Sequence, residues 1–70
     1  MSQNEMILDY LRNKGNLTQA KAIEEIGCYR LPARICDLRQ MGHNIPKEMK
    51  MAYNRFGKPV LFAEYRLVER

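Results

Sequence analysis

The chain has 70 residues, 46% of them hydrophobic and 29% charged, with twelve Lys and Arg against eight Asp and Glu and a net charge of +4. That length holds one domain, residues 1–70, and the composition argues against disorder. A domain this small buries only roughly 60% of its unfolded surface, a poor basis for a walled, water-excluding pocket, so a binding module is expected rather than an enzyme. No apolar run approaches the ~20 residues of a membrane span. Met1-Ser2-Gln3-Asn4-Glu5 has neither the basic flank nor the apolar stretch of a signal peptide. A cytoplasmic protein with Cys28 and Cys36 as reduced thiols is expected.

The first element opens on Ser2-Gln3-Asn4-Glu5, which has the form of a capping box. Ile7, Tyr10 and Leu11 follow at helical spacing, with Met6 and Leu8 on the flanks, and Gly15 suits the stop. The spacing predicts a helix over about 3–14. Thr18 then reads as the N-cap of a second helix over 19–26, whose Ala22 (or Ala20), Ile23 and Ile26 face inward. Gly27 ends it. Only Cys28 and Tyr29 separate that glycine from the next helix, so the two helices cross steeply through a tight turn, the helix-turn-helix arrangement.

The third helix is expected over 30–41, with Pro32 in its first turn and Gly42 as its stop. Leu31, Ile35 and Leu38 fall within about 60° on a helical wheel and form the core stripe. Arg30, Ala33, Arg34, Asp37 and Gln40 fall on the far side. After His43-Asn44 the period changes to two. Residues 45–53 and 60–67 read as half-buried strands, joined by a turn, Asn54-Arg55-Phe56-Gly57-Lys58-Pro59, with two positive charges at its tip. The expected class is α+β: a winged helix-turn-helix of three helices followed by a two-stranded β-hairpin wing.

The charge divides unevenly over this plan. Residues 1–27 sum to −1 and residues 59–70 to zero. Residues 28–58 carry Arg30, Arg34, Arg39, Lys47, Lys50, Arg55 and Lys58 against Asp37 and Glu48, a surplus of +5. A surplus so concentrated points to a polyanion-facing surface.

The residues at the start of the third helix, Tyr29, Arg30, Ala33 and Arg34, are the expected base readers, because the second helix of this motif enters the major groove by its N-terminal part. Arg30 and Arg34 project one turn apart, and either fork matches guanine O6 and N7. Ala33 admits a close backbone approach, and Tyr29 suits a phosphate. The competing reading pairs Arg34 with Asp37 on a solvated face. Lys47, Arg55 and Lys58 are expected to follow the phosphate backbone or the adjacent minor groove, positioning the domain without specifying sequence. Lys50 reads as edge-strand protection. Arg39, at the rim of the core stripe, reads as structural. Thr18 is a cap first and, at a positive helix end, a phosphate ligand second.

No metal or cofactor is expected. Cys28, Cys36 and His43 match no zinc spacing, and no nucleophile elbow, phosphate loop or carboxylate pair occurs. Cys28 reads as a packed turn residue, His43 as a cap for the third helix, and the dispersed methionines as core filler.

The stretch from Gly27 to Ile45 has the pattern G-C-x-R-L-x-A-R-I-x-D-L-R-x-x-G-x-x-I. It resembles the small helix-turn-helix domain proteins of bacteriophages and prophages. A leading Ile7-Leu8-Asp9-Tyr10-Leu11 and a closing Tyr65-Arg66-Leu67 extend the likeness over nearly the whole chain. The resemblance implies a winged helix that binds double-stranded DNA, on a phage or prophage gene in a bacterial host. With the basic segment it leads to a regulator of transcription or a recombination accessory factor as the expected role; a lone winged domain reads only a short half-site, which leaves a homodimer or cooperative assembly on DNA open. Arg30, Arg34 and Arg39 stand at the motif's arginines. The alternative is a protein-binding winged helix that inhibits or redirects a host enzyme through Tyr29, Met41, Phe56 and Phe62.

Overall fold

The structure, a computed structural model, describes residues 1–69. Helix α1 spans Gln3–Asn13 and begins with the capping box: the Ser2 hydroxyl accepts the Glu5 N–H at 3.2 Å, and the Glu5 carboxylate accepts the Ser2 N–H at 3.4 Å. Its Ile7 and Leu11 enter the core. A two-residue strand β1, Leu17–Thr18, leads directly into α2, Gln19–Glu25, where the Thr18 hydroxyl accepts the Lys21 N–H at 3.2 Å. Gly27 turns the chain at φ +78°, a backbone region glycine enters without steric cost. The Cys28 N–H then donates to the Ala22 carbonyl at 3.0 Å, folding the turn back on α2.

Helix α3, Leu31–Gln40, buries Leu31, Ile35 and Leu38 to at most 1% exposure. These three meet Ile7, Leu11, Leu17, Ala22, Cys28, Ile45 and Tyr65 in one core. The hairpin follows as β2, Lys47–Tyr53, and β3, Pro59–Tyr65, antiparallel with Lys47 opposite Tyr65 and Tyr53 opposite Pro59. At its tip the Asn54 side-chain oxygen accepts the N–H groups of Phe56 and Lys58 at 2.9 and 3.0 Å, and Gly57 takes φ +74°.

Three corrections to the sequence reading have physical causes. The sheet has three strands, not two, in the order β1-β3-β2, with Leu17 opposite Tyr65. Two residues are too few to show a period, so β1 leaves no mark in the sequence. The strands run over 47–53 and 59–65 rather than 45–53 and 60–67. Ile45 is instead a core residue outside the strand, and its carbonyl accepts both Nε and a terminal nitrogen of Arg39, at 3.0 and 2.7 Å. Arg39 thus has the structural role expected of it. Beyond Tyr65 the chain still pairs: the Arg66 and Val68 N–H groups donate to the Pro46 and Asn44 carbonyls.

The third correction concerns burial. The strands are not half-buried along their length, because the hairpin extends past the helices in a molecule of 38 × 23 × 21 Å. Met49, Met51, Tyr53 and Leu61 are all more than half exposed. Alternation fixes which residues share a face, not whether anything covers that face. None of the methionines is buried, so they are not core filler; Met1 and Met41 are also exposed and Met6 is half-buried. Ile23 does not point inward either. It lies 100° further round α2 than the buried Ala22 and reaches the rim of the helix, while Ile26 packs on the core. The helix ends differ from expectation by a single residue, at 13, 25, 31 and 40.

The tail is tied to α1. Arg12 makes a two-pronged contact to Glu69 at 3.0 and 2.7 Å, and the His43 imidazole stands 3.7 Å from the same carboxylate. His43 closes α3 with its backbone N–H, which donates to the Leu38 carbonyl at 3.1 Å, rather than with its ring. Hydrogen bonding from Arg12 holds the Glu69 carboxyl below the usual carboxylate range. A depressed carboxylate stabilises the fold above its unfolded pKa, so this tie persists at neutral pH and is lost as acid protonates Glu69.

Candidate nucleic-acid interface

The turn between α2 and α3 is fixed by a residue whose role the sequence reading missed. Helix α3 has no cap of its own: its N-cap is Arg30, which supplies no capping side chain, while Pro32 in the first turn has no N–H to satisfy. Gln19, at the first position of α2, supplies the missing cap. Its side-chain oxygen accepts the Leu31 N–H at 2.9 Å, and its side-chain nitrogen donates to the Cys28 carbonyl at 2.8 Å. One amide therefore caps α3 and braces the turn. A glutamine across the turn from an uncapped helix was the available signal. Gln19→Leu keeps the volume and loses both bonds, leaving partly buried backbone groups unpaired. Urea denaturation should show a loss of about 1–3 kcal/mol.

This brace presents the start of α3. Tyr29 is 74% exposed in the turn, and Arg30 is exposed beside it. Ala33 is half-buried on the first turn of α3. Arg34, also half-buried, contacts Asp37 at 3.2 Å across one helical turn. Thr18 spends its hydroxyl on the α2 cap. On the hairpin, Lys50 pairs with Glu64 at 3.0 Å, and Asn16 donates to the same carboxylate, also at 3.0 Å. The Lys50 hydrogen bond pulls the Glu64 carboxyl below its ordinary range and raises the lysine. Lys47 is exposed where β2 begins. Arg55 lies over the Phe56 ring, 5.5 Å from its centroid, and Lys58 is exposed on the other side of the tip.

Sorting the basic segment by partner leaves four cations. Among the described residues, no carboxylate lies within ion-pair distance of Arg30, Lys47, Arg55 or Lys58. The fold does not gather these into one cluster. Arg30 stands at the turn, Lys47 at the base of the hairpin, and Arg55 and Lys58 at its tip. Such a spread suits a long, regularly charged ligand better than a small anion.

Between the helix-turn-helix unit and the hairpin lies a groove of about 470 Å³, walled by Gln19, Ala20 and Pro32 on one side and Leu61, Ala63 and Tyr65 on the other. Its apolar lining continues into the exposed Met49, Met51 and Tyr53 face of the hairpin. Sequence reasoning treated that face as covered and so passed over it. Among the described residues no group of His, Cys, Asp and Glu is placed to hold a metal ion, and Cys28 is buried while Cys36 is exposed on α3. No helix of the described residues is long and apolar enough to cross a membrane.

A family model described as a winged helix-turn-helix domain matches residues 2–70. No curated protein and no solved structure matches the chain.

Proposed function

We propose that this chain, which belongs to the winged helix-turn-helix domain family, binds double-stranded DNA as a phage or prophage regulator of transcription or recombination accessory factor. In this reading the start of α3 enters the major groove, where Arg30 and Arg34 face base edges and Ala33 allows close approach. Tyr29, Thr18 and Lys47 face the backbone, and Arg55 and Lys58 follow phosphates or the minor groove from the hairpin tip. The observation that carries it is the set of four unpaired cations, all on α3's entry and the hairpin, within a chain whose other regions are near neutral.

Salt dependence tests this. Three phosphate contacts, from Lys47, Arg55 and Lys58, give log K against log salt a slope of about −2.7, so raising salt from ~50 to ~200 mM weakens binding by about 40-fold. Titration of a mixed-sequence duplex at several salt concentrations measures the slope. Affinity indifferent to salt, or no binding at low salt, removes the reading. A second reading, a contact face for a host protein, is favoured by the exposure of Tyr29, Met41 and Phe56; Phe62 is half-buried and contributes less. Capture from host lysate after nuclease treatment separates the two: a stoichiometric partner that survives nuclease supports the second.

A further inference from the structure

We propose that β2 is a dimerisation edge, through which two copies of this chain pair antiparallel with Met49 opposite the second copy's Met49. The order β1-β3-β2 leaves the outer side of β2 without a neighbouring strand. Backbone parity shows what that side offers. Asn44, Pro46 and Asn54 direct their hydrogen bonds to 68, 66 and 58, toward β3. By alternation, Lys47, Met49, Met51 and Tyr53 direct both their N–H and C=O outward. The two prolines leave this edge intact: Pro46 faces inward, and Pro59 removes a donor from the outer side of β3 instead. That other edge is occupied by β1 only at Glu64 and Tyr65, and further along it faces the start of α2 across the groove.

The charges on β2 select one symmetric register. With Met49 opposite Met49, each Glu48 lies opposite the second copy's Lys50, and each Lys47 opposite the second copy's Met51. Shifting by one step either way brings Glu48 against Glu48 or Lys50 against Lys50, and like charges directly opposite destabilise a sheet. The chosen register also relieves a conflict within each copy, where Glu48 lies directly opposite Glu64 with Lys50 drawn to Glu64. Pairing places Glu48 beside the second copy's Lys50, a cation it shares with that copy's Glu64. Because the pairing is isologous and uses the β2 edge of both copies, the assembly closes at two copies.

The symmetry axis of such a pair is perpendicular to the sheet. Met49, Met51, Leu61 and the core residue Tyr65 share one face, so both sets of helices lie on the same side of the joined sheet. Two α3 helices related by that axis match a two-fold symmetric duplex. The inference does not rest on DNA binding; either can fail without the other.

Sedimentation equilibrium of the DNA-free chain tests it, with circular dichroism to confirm folding. The wild type should approach twice the monomer mass as concentration rises. Glu48→Lys and Lys50→Glu should each return the mass to that of the monomer, and the double variant E48K/K50E should restore the dimer. A wild type monomeric throughout, or a double variant no more dimeric than the singles, overturns the proposal. Amide exchange of the wild type decides the matter without any variant. The N–H groups of Lys47, Met49 and Met51 should gain protection as concentration rises, and concentration-independent exchange at those three overturns it.

Discussion

Ile35→Ala should leave the chain largely unfolded at room temperature. Ile35 is 1% exposed and sits between Leu31 and Leu38, where α3 meets the rest of the core. Removing its outer carbons loses their transfer free energy and leaves a cavity, a combined cost of about 2–5 kcal/mol. The core of a chain this short rarely supplies more than about 3–5 kcal/mol of net stability, so the loss equals most of what is there. Ile23→Ala is the control. Equal in chemistry but 40% exposed at the rim of α2, it should cost under about 0.5–1 kcal/mol. Urea denaturation followed by circular dichroism measures both. A comparable loss at the two positions would mean that α2 packs by its Ile23 face and that the core is centred elsewhere.

The contrast between those isoleucines shows how far the sequence was legible. The α3 stripe was readable because three large residues recur over more than two turns and bury together. The α1 start was readable because the capping box is a four-residue chemical signature. Helix α2 has only seven residues, so its stripe has no second repeat to fix its centre. Strand β1 depends wholly on its pairing with β3, a contact 48 residues distant at Leu17–Tyr65, and nothing local encodes it. The exposure of the hairpin was hidden for another reason: a period of two records the pleat and is the same whether a face meets a core, a partner or water. Gln19 was missed because its partners, Cys28 and Leu31, lie across a turn whose geometry had to exist before the contacts could be seen.

The candidate interface was legible in residue type and less so in availability. The basic segment was plain from composition, but the structure divides its cations into those already engaged and those open. That division determines the outcome of substitution. Arg30→Ala removes an open guanidinium at the mouth of α3, and should reduce preference for the best duplex over a scrambled one by about 1–3 kcal/mol, or roughly 5- to 150-fold. Arg34 starts from its contact with Asp37. A helical pair of this spacing is worth only about 0.2–0.5 kcal/mol, far less than a two-pronged guanine contact, so Arg34 can exchange one partner for the other. Arg34→Ala should therefore also erase site preference. Asp37→Ala, which frees the arginine, should tighten binding to every duplex alike. Arg55→Ala should weaken all duplexes equally and move the salt slope from about −2.7 to about −1.8, because a phosphate contact carries charge and no sequence information. Competition binding with matched and scrambled duplexes at two salt concentrations separates these effects. Equal, small and sequence-independent losses from Arg30→Ala and Arg55→Ala would mean that α3 positions the domain and does not read bases.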